Sequence, residues 1–150
     1  MLQSLAQILV HLIFSTKDRE PVLSDDIRPE LHPYMAAIMK NMNSPTILMN
    51  SVEDHAHLLF HLSKNHALCD VIEVVKKDSS KWIKTKGGAY RSFHWQNGYG
   101  AFSVSQSNVA QVVKYIEGQK KHHRRRSFEE EFRAFLKKYR VPYDERYVWD

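Results

Sequence analysis

A short apolar segment that carries two histidines is the feature of this sequence that most constrains its fold. Residues 54–60 read Asp-His-Ala-His-Leu-Leu-Phe, and an apolar run of this length is typical of a buried β-strand. Side chains of a strand alternate between its two faces, so residues i and i+2 point the same way. His55 and His57 are therefore predicted to be exposed on one face of an interior strand, close enough to bind one metal ion.

Hydrophobic periodicity and turn residues predict four strands and four helices along the chain. The predicted strands are residues 7–15, 46–52, 56–62 and 99–105. The predicted helices run from a cap at 24 or 25 to about 41, from 68 to about 84, from a cap at 105 or 107 to about 122, and from 127 to about 140. The short link Glu53-Asp54 predicts a hairpin.

The resulting order β-α-β-β-α-β-α-α predicts an α+β fold. We expect a single ferredoxin-like sandwich domain over residues 1–150, with a central antiparallel sheet and helices packed on it. A chain of 150 residues is long enough to bury a core of its own.

Charge and cysteine content narrow the classes of partner and metal site. The net charge of +5 and the isoelectric point of about 9.3 favour an acidic partner, most commonly nucleic acid. Cys69 is the only cysteine, which excludes an internal disulfide and a cysteine-rich zinc site. The apolar stretch 5–14 is interrupted by Gln7 and His11 and is too short to span a bilayer, and no basic leader precedes it. A cytoplasmic protein without a membrane partner is expected.

The helix predicted after residue 107 carries a second candidate site. Its core face has i, i+3, i+4, i+7 spacing, while Tyr115 and Gln119 share a neighbouring stripe displaced by roughly 110°. Tyr115 is therefore predicted at the edge of the buried face, with its ring packed and its hydroxyl able to reach a cleft. A tyrosine in this position could attack phosphorus while a nearby metal ion neutralises charge on the phosphate oxygens.

Two metal sites are compatible with these residues. The imidazoles of His55 and His57 with the amide oxygen of Gln119 would favour Mg²⁺ or Mn²⁺, completed by phosphate oxygens and water. Alternatively, His61 on the same strand face could complete a zinc site of a hydrolase unrelated to DNA.

Basic residues near aromatic side chains are candidates for nucleic-acid contacts, because cations bind phosphates and aromatic rings stack on unpaired bases. The aromatic candidates are Trp82, Tyr90, Trp95 and Tyr99, although packing in the core is the competing interpretation of both tryptophans. The predicted basic contacts are Lys17, Arg19, Lys84, Lys86, Lys120, Lys121, Arg124 and Arg125.

Several segments together resemble a known family over nearly the whole chain. They are the histidine motif at 54–59, the segment Trp-Gln-Asn-Gly-Tyr-Gly-Ala-Phe-Ser-Val-Ser at 95–105, and Tyr-Ile-Glu-Gly-Gln-Lys-Lys-His-His at 115–123. The early segment 14–19 and the residues Ser127-Phe128 and Glu130-Glu131 fit as well. The sequence resembles the single-tyrosine HUH (histidine, hydrophobic residue, histidine) transposases of small bacterial and archaeal insertion sequences, including the related repeat-hairpin-associated tyrosine transposases.

This resemblance implies residue roles and an assembly. His55 and His57 match the metal-binding histidines of the family, Gln119 matches a further ligand, and Tyr115 matches the nucleophile. In the family, the tyrosine attacks single-stranded DNA at a hairpin-marked element end, forms a 5′-phosphotyrosine link and releases a 3′-hydroxyl. Family members are homodimers in which the tyrosine helix of one subunit completes the histidine pair of the other.

The function expected from these arguments is a transposase that cleaves and rejoins single-stranded DNA. The alternatives are a domesticated endonuclease that cuts repeated hairpins, and a catalytically inactive single-stranded-DNA-binding protein. Gly118 departs from the expected helix former and is predicted to weaken its helix by about 1 kcal/mol.

Overall fold

A four-stranded antiparallel sheet forms the centre of the molecule. The computed structural model describes residues 3–123 and 126–150. Its strands are Leu9–Ser15 (β1), Thr46–Ser51 (β2), His55–His61 (β3) and Gly100–Val104 (β4), in the spatial order β2-β3-β1-β4. The helices of the described residues are Arg28–Asn41 (α1), Leu68–Lys84 (α2), Val109–Glu117 (α3), Gln119–His122 (α4) and Phe128–Lys138 (α5). This topology confirms the predicted α+β, ferredoxin-like fold.

Strand β3 lies inside the sheet, paired with β1 on one side and β2 on the other. In the β1 ladder, Ser15 stands opposite His55 and Ile13 opposite His57. In the β2 ladder, Asn50 stands opposite His57. The predicted hairpin between β2 and β3 is confirmed, and the two histidines lie on an interior strand as expected.

The two faces of β3 belong to different layers, as strand alternation requires. Ala56, Leu58 and Phe60 are buried in the larger core, which they share with α1 and α2. The opposite face carries His55, His57 and Leu59. Helices α3, α4 and α5 cover this second face, so the histidine pair lies between the sheet and the C-terminal helices.

The first helix begins later than the sequence predicted. Neither Ser24 nor Asp25 caps it; α1 begins at Arg28, with Pro29 in the first turn. A proline is favoured there because its missing N–H would have no helical partner and its φ angle is already helical. Asp25 instead forms an ion pair with Arg28.

The helix predicted to run from residue 105 or 107 to about residue 122 is two helices. Residues 106–108 form a 3-10 turn, and α3 ends before Gly118, whose φ of −84° and ψ of 11° leave the helical range. A break exposes carbonyl groups that have lost their helical partners. The side-chain amide of Asn50 donates to one of them, Ile116 O, at 2.8 Å, and so fixes the end of α3 against β2.

The last helix begins as predicted, and its packing positions the site. The hydroxyl of Ser127 accepts a hydrogen bond from the Glu130 backbone N–H at 3.2 Å. Phe128, Phe132 and Leu136 then pack against Ile13 and Phe102 of the sheet. The ring of Phe132 lies so close to Gly100 of β4 that a Cβ at that position would clash with it. In the described part of the chain, every helix is too short or too polar to cross a membrane.

Candidate metal centre and nucleophile

His55 and His57 project from the same face of β3, as their spacing predicted. They are not exposed, however: both side chains are fully buried. The difference arises because α5 lies across this face and brings the buried Glu131 against the two rings. The alternation of side chains along a strand predicts the face of the sheet on which each side chain lies. Its exposure depends on which other elements pack over that face.

Each imidazole of the pair is oriented by a partner on its Nδ1 atom. Nδ1 of His55 lies 2.7 Å from Oδ1 of Asp54. Nδ1 of His57 lies 2.8 Å from Nε2 of His11, which is buried on β1. Both rings therefore turn their Nε2 atoms toward the same point under α5. Such partners on the outer nitrogen are typical of histidines that bind metal ions.

Glu131 lies at the point where these Nε2 atoms converge. Its Oε1 is 3.0 Å from Nε2 of His57 and 3.4 Å from Nε2 of His55. Its Oε2 lies 3.2 Å from Nε2 of His123. The same oxygen accepts a hydrogen bond from the hydroxyl group of Tyr115. One buried carboxylate thus joins three histidines to the candidate nucleophile.

Gln119 reaches the same cluster from α4. Its side chain is fully buried, and its Oε1 lies 3.2 Å from Nε2 of His55 and 3.0 Å from Nε2 of His123. Its Nε2 lies 3.4 Å from the backbone oxygen of Tyr115. The break at Gly118 therefore leaves Gln119 and Tyr115 directed toward the same site.

The arrangement fits a metal ion. One ligand atom each from His55, His57, His123 and Glu131 lies within 4.8 Å of the others, so that one cation could contact them all. Imidazole nitrogens with a carboxylate and an amide oxygen suit several divalent ions, including Mg²⁺ and Mn²⁺. Among the described residues this cluster does not include His61, so the zinc site that would depend on His61 gains no support.

Burial and charge give these groups unequal proton affinities. Burial lowers the pKa of His55, but hydrogen bonds to Asp54 and Glu131 outweigh it and raise that pKa to about 9. Burial dominates at His57 and lowers its pKa. Burial also opposes ionisation of Glu131, yet hydrogen bonds from the surrounding histidines hold the pKa of its carboxyl well below its usual range.

Tyr115 is partly buried beside the cluster. Its ring lies 5.9 Å from the ring of His57 and 5.4 Å from that of Phe135. Burial and the negative charge of Glu131 raise the pKa of the Tyr115 hydroxyl, so it is protonated at neutral pH. The packed ring and inward hydroxyl agree with the sequence prediction, and the histidines that Tyr115 contacts belong to its own chain.

Two predicted basic residues lie at the end of the sheet that carries the site. Lys17 and Arg19 form a turn directly after β1, and the backbone N–H of Thr16 donates to Asp54 O at 2.8 Å. Lys17 is exposed, whereas Arg19 forms an ion pair with Glu129 of α5 at 2.9 Å.

A cleft beside the nucleophile is lined by further cations. Tyr115 lines it together with Arg126, the last residue of the basic segment 120–126, and with Lys138, which the sequence did not single out. Lys120 and Lys121 are exposed on α4, directly after Gln119 in sequence. Positive charge is therefore available near Tyr115 for a phosphate backbone.

The remaining basic candidates are not gathered at the site. Lys84 is the last residue of α2, in the opposite layer, and Lys86 follows it at 3.4 Å from Glu30 of α1. Arg124 and Arg125 lie outside the described residues. Only part of the predicted basic set therefore surrounds the histidine cluster.

The aromatic candidates divide between core and surface. Trp95 is buried, and Trp82 stacks on Tyr34 with 4.8 Å between ring centroids. The competing interpretation, that Trp95 is part of the core, is confirmed. Tyr99 is 40% exposed and is available for stacking on a base.

Sequence reasoning did not assign a role in the site to Glu131 or His123. Glu131 entered only as part of a segment that fits the family resemblance and as one of three consecutive glutamates in the first turn of a predicted helix, where negative charge favours the helix dipole. Its position three residues after Phe128 and next to Phe132 places it on the apolar stripe of α5, and a charge there was the available signal. His123 offered no comparable signal, because it follows a polar, basic segment.

Comparison with known proteins agrees with this architecture. A sequence model of the family described as "Transposase IS200 like" matches residues 4–119. The ISDra2 transposase TnpA of Deinococcus radiodurans is 28% identical over 118 residues, which cover 75% of this chain and 84% of that protein.

Two solved structures share the fold. A candidate transposase from Deinococcus radiodurans R1 has a TM-score of 0.62 and 24% identity, covering 79% of this chain and 98% of that one. A REP-associated tyrosine transposase bound to a REP hairpin has a TM-score of 0.60 and 12% identity, covering 82% of this chain and 73% of that one. At these identities the likeness concerns the fold.

Fold and sequence match together define the class of this protein as a transposase-type domain built on a ferredoxin-like sheet. The chain belongs to the IS200-like transposase family. The matched segment contains Asp54, His55, His57, Tyr115 and Gln119. It ends before His123 and Glu131, which complete the observed cluster.

Proposed function

We propose that this protein is a metal-dependent transposase that cleaves and rejoins single-stranded DNA at hairpin-marked element ends. The observation that carries the proposal is the contact between nucleophile and metal-binding groups. The hydroxyl of Tyr115 and the Nε2 atoms of His55 and His57 meet at one buried carboxylate, that of Glu131. The family membership supplies the reaction class, and residues 1–150 would act as one domain.

The proposed chemistry is a transfer of phosphodiester bonds. The Tyr115 oxygen attacks phosphorus, the hydroxyl proton passes to water, and the bond from phosphorus to the 3′ oxygen breaks. That oxygen takes a proton from water and leaves as a 3′-hydroxyl, while the 5′ end remains on the tyrosine. Attack by a 3′-hydroxyl on the phosphotyrosine reverses the step and rejoins the strand, so no external energy source is consumed.

His55, His57 and Gln119 are the proposed holders of Mg²⁺ or Mn²⁺. Such an ion supplies positive charge that offsets the charge on the phosphate oxygens. The protein itself fixes the geometry: Asp54 and His11 orient the two rings, and the side-chain amide of Gln119 donates to the backbone oxygen of Tyr115 across the break at Gly118.

The proposed DNA path runs over the exposed lysines near the site. Lys17, Lys120 and Lys121 would bind phosphates next to the cleaved bond. Lys84 and Lys86 would contact DNA only where a hairpin reaches the opposite layer. That a structural neighbour is bound to a REP hairpin supports DNA as the partner, and the expected location is the cytoplasm.

The active assembly is proposed to be a homodimer with shared sites. In it, α3 and α4 of one chain would take the position on the partner that they hold here on their own sheet. Ile116, the only fully buried residue of α3, packs with Leu9, Leu59 and Val104 of the sheet, and a second copy of the sheet would offer it the same contacts.

A second candidate function is a domesticated endonuclease that cuts repeated hairpins without moving its own gene. The fold shared with a REP-associated transposase favours it, and the chemistry would be the same. Flanking DNA separates the two functions, because a mobile element carries matching hairpins at both ends.

Trapping of a covalent adduct tests the proposed reaction. Single-stranded candidate element ends incubated with the protein and Mn²⁺ should yield a DNA–protein link that survives denaturing electrophoresis. Tyr115→Phe keeps the packed ring but lacks the attacking oxygen, so it should form no adduct. The matched control is Tyr147→Phe at an exposed position outside the cluster, which should react like the wild type. An adduct formed by Tyr115→Phe would show that Tyr115 is not the nucleophile.

His57→Ala tests the metal-binding part of the proposal. Removal of this imidazole should abolish cleavage and leave hairpin binding largely intact, because DNA affinity depends mainly on the surface cations. Adduct formation and hairpin affinity, measured on the same preparation, separate the two effects. Cleavage by His57→Ala at the wild-type rate would contradict the site assignment.

A further inference from the structure

Glu131 is the central buried group of the site, yet neither the histidine motif nor the tyrosine helix contains it. It lies on α5, beyond the segment that matches the family. Its side chain is 1% exposed, and it is the one carboxylate among the ligand atoms that converge within 4.8 Å. A buried carboxylate is destabilising unless charges or hydrogen bonds compensate it.

The orientation of His55 shows what this compensation requires. The carboxylate of Asp54 can only accept a hydrogen bond, so Nδ1 of His55 donates to it. In a neutral ring, Nε2 then carries a lone pair, and it lies 3.4 Å from Oε1 of Glu131. Two lone pairs would face each other unless a proton or a metal cation lies between them.

His57 turns its Nε2 atom toward the same carboxylate oxygen. Its Nδ1 is occupied by His11, and its Nε2 lies 3.0 Å from the same Oε1 of Glu131. Two imidazoles therefore aim at one carboxylate oxygen. A pair of histidines with one carboxylate is a common set of ligands for divalent metals, which leaves further coordination positions open.

Gln119 is the competing third ligand. Its Oε1 lies 3.2 Å from His55 and 3.0 Å from His123, so it reaches the same region. Its amide oxygen is neutral, however, whereas the oxygen of Glu131 carries negative charge. Hard ions such as Mg²⁺ and Mn²⁺ prefer carboxylate oxygens.

The geometry points to Glu131 as the third protein ligand of the metal ion, together with His55 and His57, with Gln119 secondary to it. Because the other oxygen of Glu131 accepts the Tyr115 hydroxyl, the same carboxylate positions the nucleophile beside the ion. The ligand role depends only on the cluster, whereas the positioning role rests on the proposed function. Helix α5 would then complete the metal site of this chain.

Direct measurement of Mn²⁺ binding tests the ligand role without reference to activity. The chain of residues 1–150, stripped of metal, is titrated with Mn²⁺ alone by calorimetry, and bound Mn²⁺ is followed by electron paramagnetic resonance. Glu131→Gln keeps the shape of the side chain and removes its charge, so we expect at least about a tenfold loss of Mn²⁺ affinity. Gln119→Ala should lose less affinity than Glu131→Gln does.

Two further variants control for folding and for general charge effects. Glu131→Asp retains a carboxylate and should recover part of the affinity lost by Glu131→Gln, which a purely structural defect would not produce. Glu130→Gln removes a neighbouring exposed charge and should bind Mn²⁺ like the wild type. Wild-type affinity in Glu131→Gln, or the larger loss in Gln119→Ala, would overturn the assignment, as would a wild type that does not bind Mn²⁺.

Adduct formation by the wild type at saturating Mn²⁺ is measured in parallel. A protein that binds Mn²⁺ through Glu131 but forms no adduct would retain the ligand assignment and lose the proposed transposase chemistry. A protein that forms adducts while Glu131→Gln binds Mn²⁺ normally would retain the chemistry and lose the assignment. The two failures are therefore distinguishable.

Discussion

At the scale of single residues, the site depends on which nitrogen each imidazole turns inward. The sequence predicted that His55 and His57 share a face, because that follows from the repeat of a strand. It did not predict that His11 would orient His57. His11 stands opposite Leu59 on the neighbouring strand, so it reaches His57 diagonally, and this register is a tertiary property.

The pH dependence of stability tests the contact between Asp54 and His55. Because the pKa of His55 rises from 6.5 to about 9 on folding, its contribution is complete below pH 6.5 and is lost as the pH rises through about 9. In metal-free protein, the free energy of unfolding should fall over this window by up to about 3 kcal/mol. Urea unfolding at a series of pH values measures it.

Asp54→Asn is the matched variant for this measurement. It keeps a hydrogen-bond acceptor but removes one of the charges that raise the pKa of His55, so its stability should fall less over the same window. Lys76, whose pKa burial lowers to about 8, titrates in both proteins and cancels in the comparison. Equal slopes in the two proteins would mean that Asp54 does not hold the proton on His55.

At the scale of elements, local signals predicted the strands and the cap of α5, but neither the caps of α1 and α3 nor the packing of the helices. The serine at 127 and its following glutamates correctly located the start of α5. The apolar stripe of α5 showed that one face is buried, but it could not show that this face covers the histidines. Gly118 was recognised as a weak point, but it was not predicted that Asn50, on a strand distant in the sequence, would pair a carbonyl group at the break.

The contact between Asn50 and α3 is testable as an anchor of the nucleophile helix. Asn50→Ala leaves the Ile116 carbonyl without its 2.8 Å partner and should lower the free energy of unfolding by about 1 kcal/mol. Adduct formation should fall as well, since Tyr115 precedes this carbonyl by one residue. Asn97→Ala, at an exposed position, is the control. An Asn50→Ala protein with unchanged stability and adduct rate would mean that α3 is held by its apolar contacts alone.

At the scale of the whole molecule, the distribution of charge determines how DNA would approach. The basic composition predicted a nucleic-acid partner, but only the structure separates Lys120 and Lys121, near the site, from Lys84 and Lys86 in the opposite layer. Sequence spacing cannot supply this division, because it depends on which face of the sheet each helix covers.

Salt dependence of DNA affinity tests this division. A plot of log affinity against log salt concentration has a negative slope. For a single strand, each phosphate contact that is lost should make this slope less steep by about 0.7. The double variant Lys120→Ala/Lys121→Ala should therefore show a shallower slope and weaker binding of single strands. Lys84→Ala/Lys86→Ala, which removes the same charge from the other layer, should retain the single-strand slope. Fluorescence anisotropy over a salt series measures both, and equal losses would show that the charges act without regard to position.

Whether each active site is built from one chain or from two is the property that the sequence constrains least. The contacts between the tyrosine helix and the histidine pair would be the same in both arrangements. Here Tyr115 lies beside His57 of its own chain, with ring centroids 5.9 Å apart. In the proposed homodimer the tyrosine helix would instead dock on the partner. Mixing Tyr115→Phe with His57→Ala after subunit exchange distinguishes these arrangements, because a shared site can draw its histidine from one variant and its tyrosine from the other.

If sites are shared, random exchange makes half of the dimers heterodimers, each with one working site, and adduct formation should recover to about a quarter of the wild-type level. Each variant alone should stay inactive. The double variant Tyr115→Phe/His57→Ala, mixed with wild type under the same conditions, provides the control for exchange and dilution, since it can contribute neither group. A mixture of the single variants that stays inactive, although labelled subunits are shown to exchange, would mean that Tyr115 acts with the histidines of its own chain.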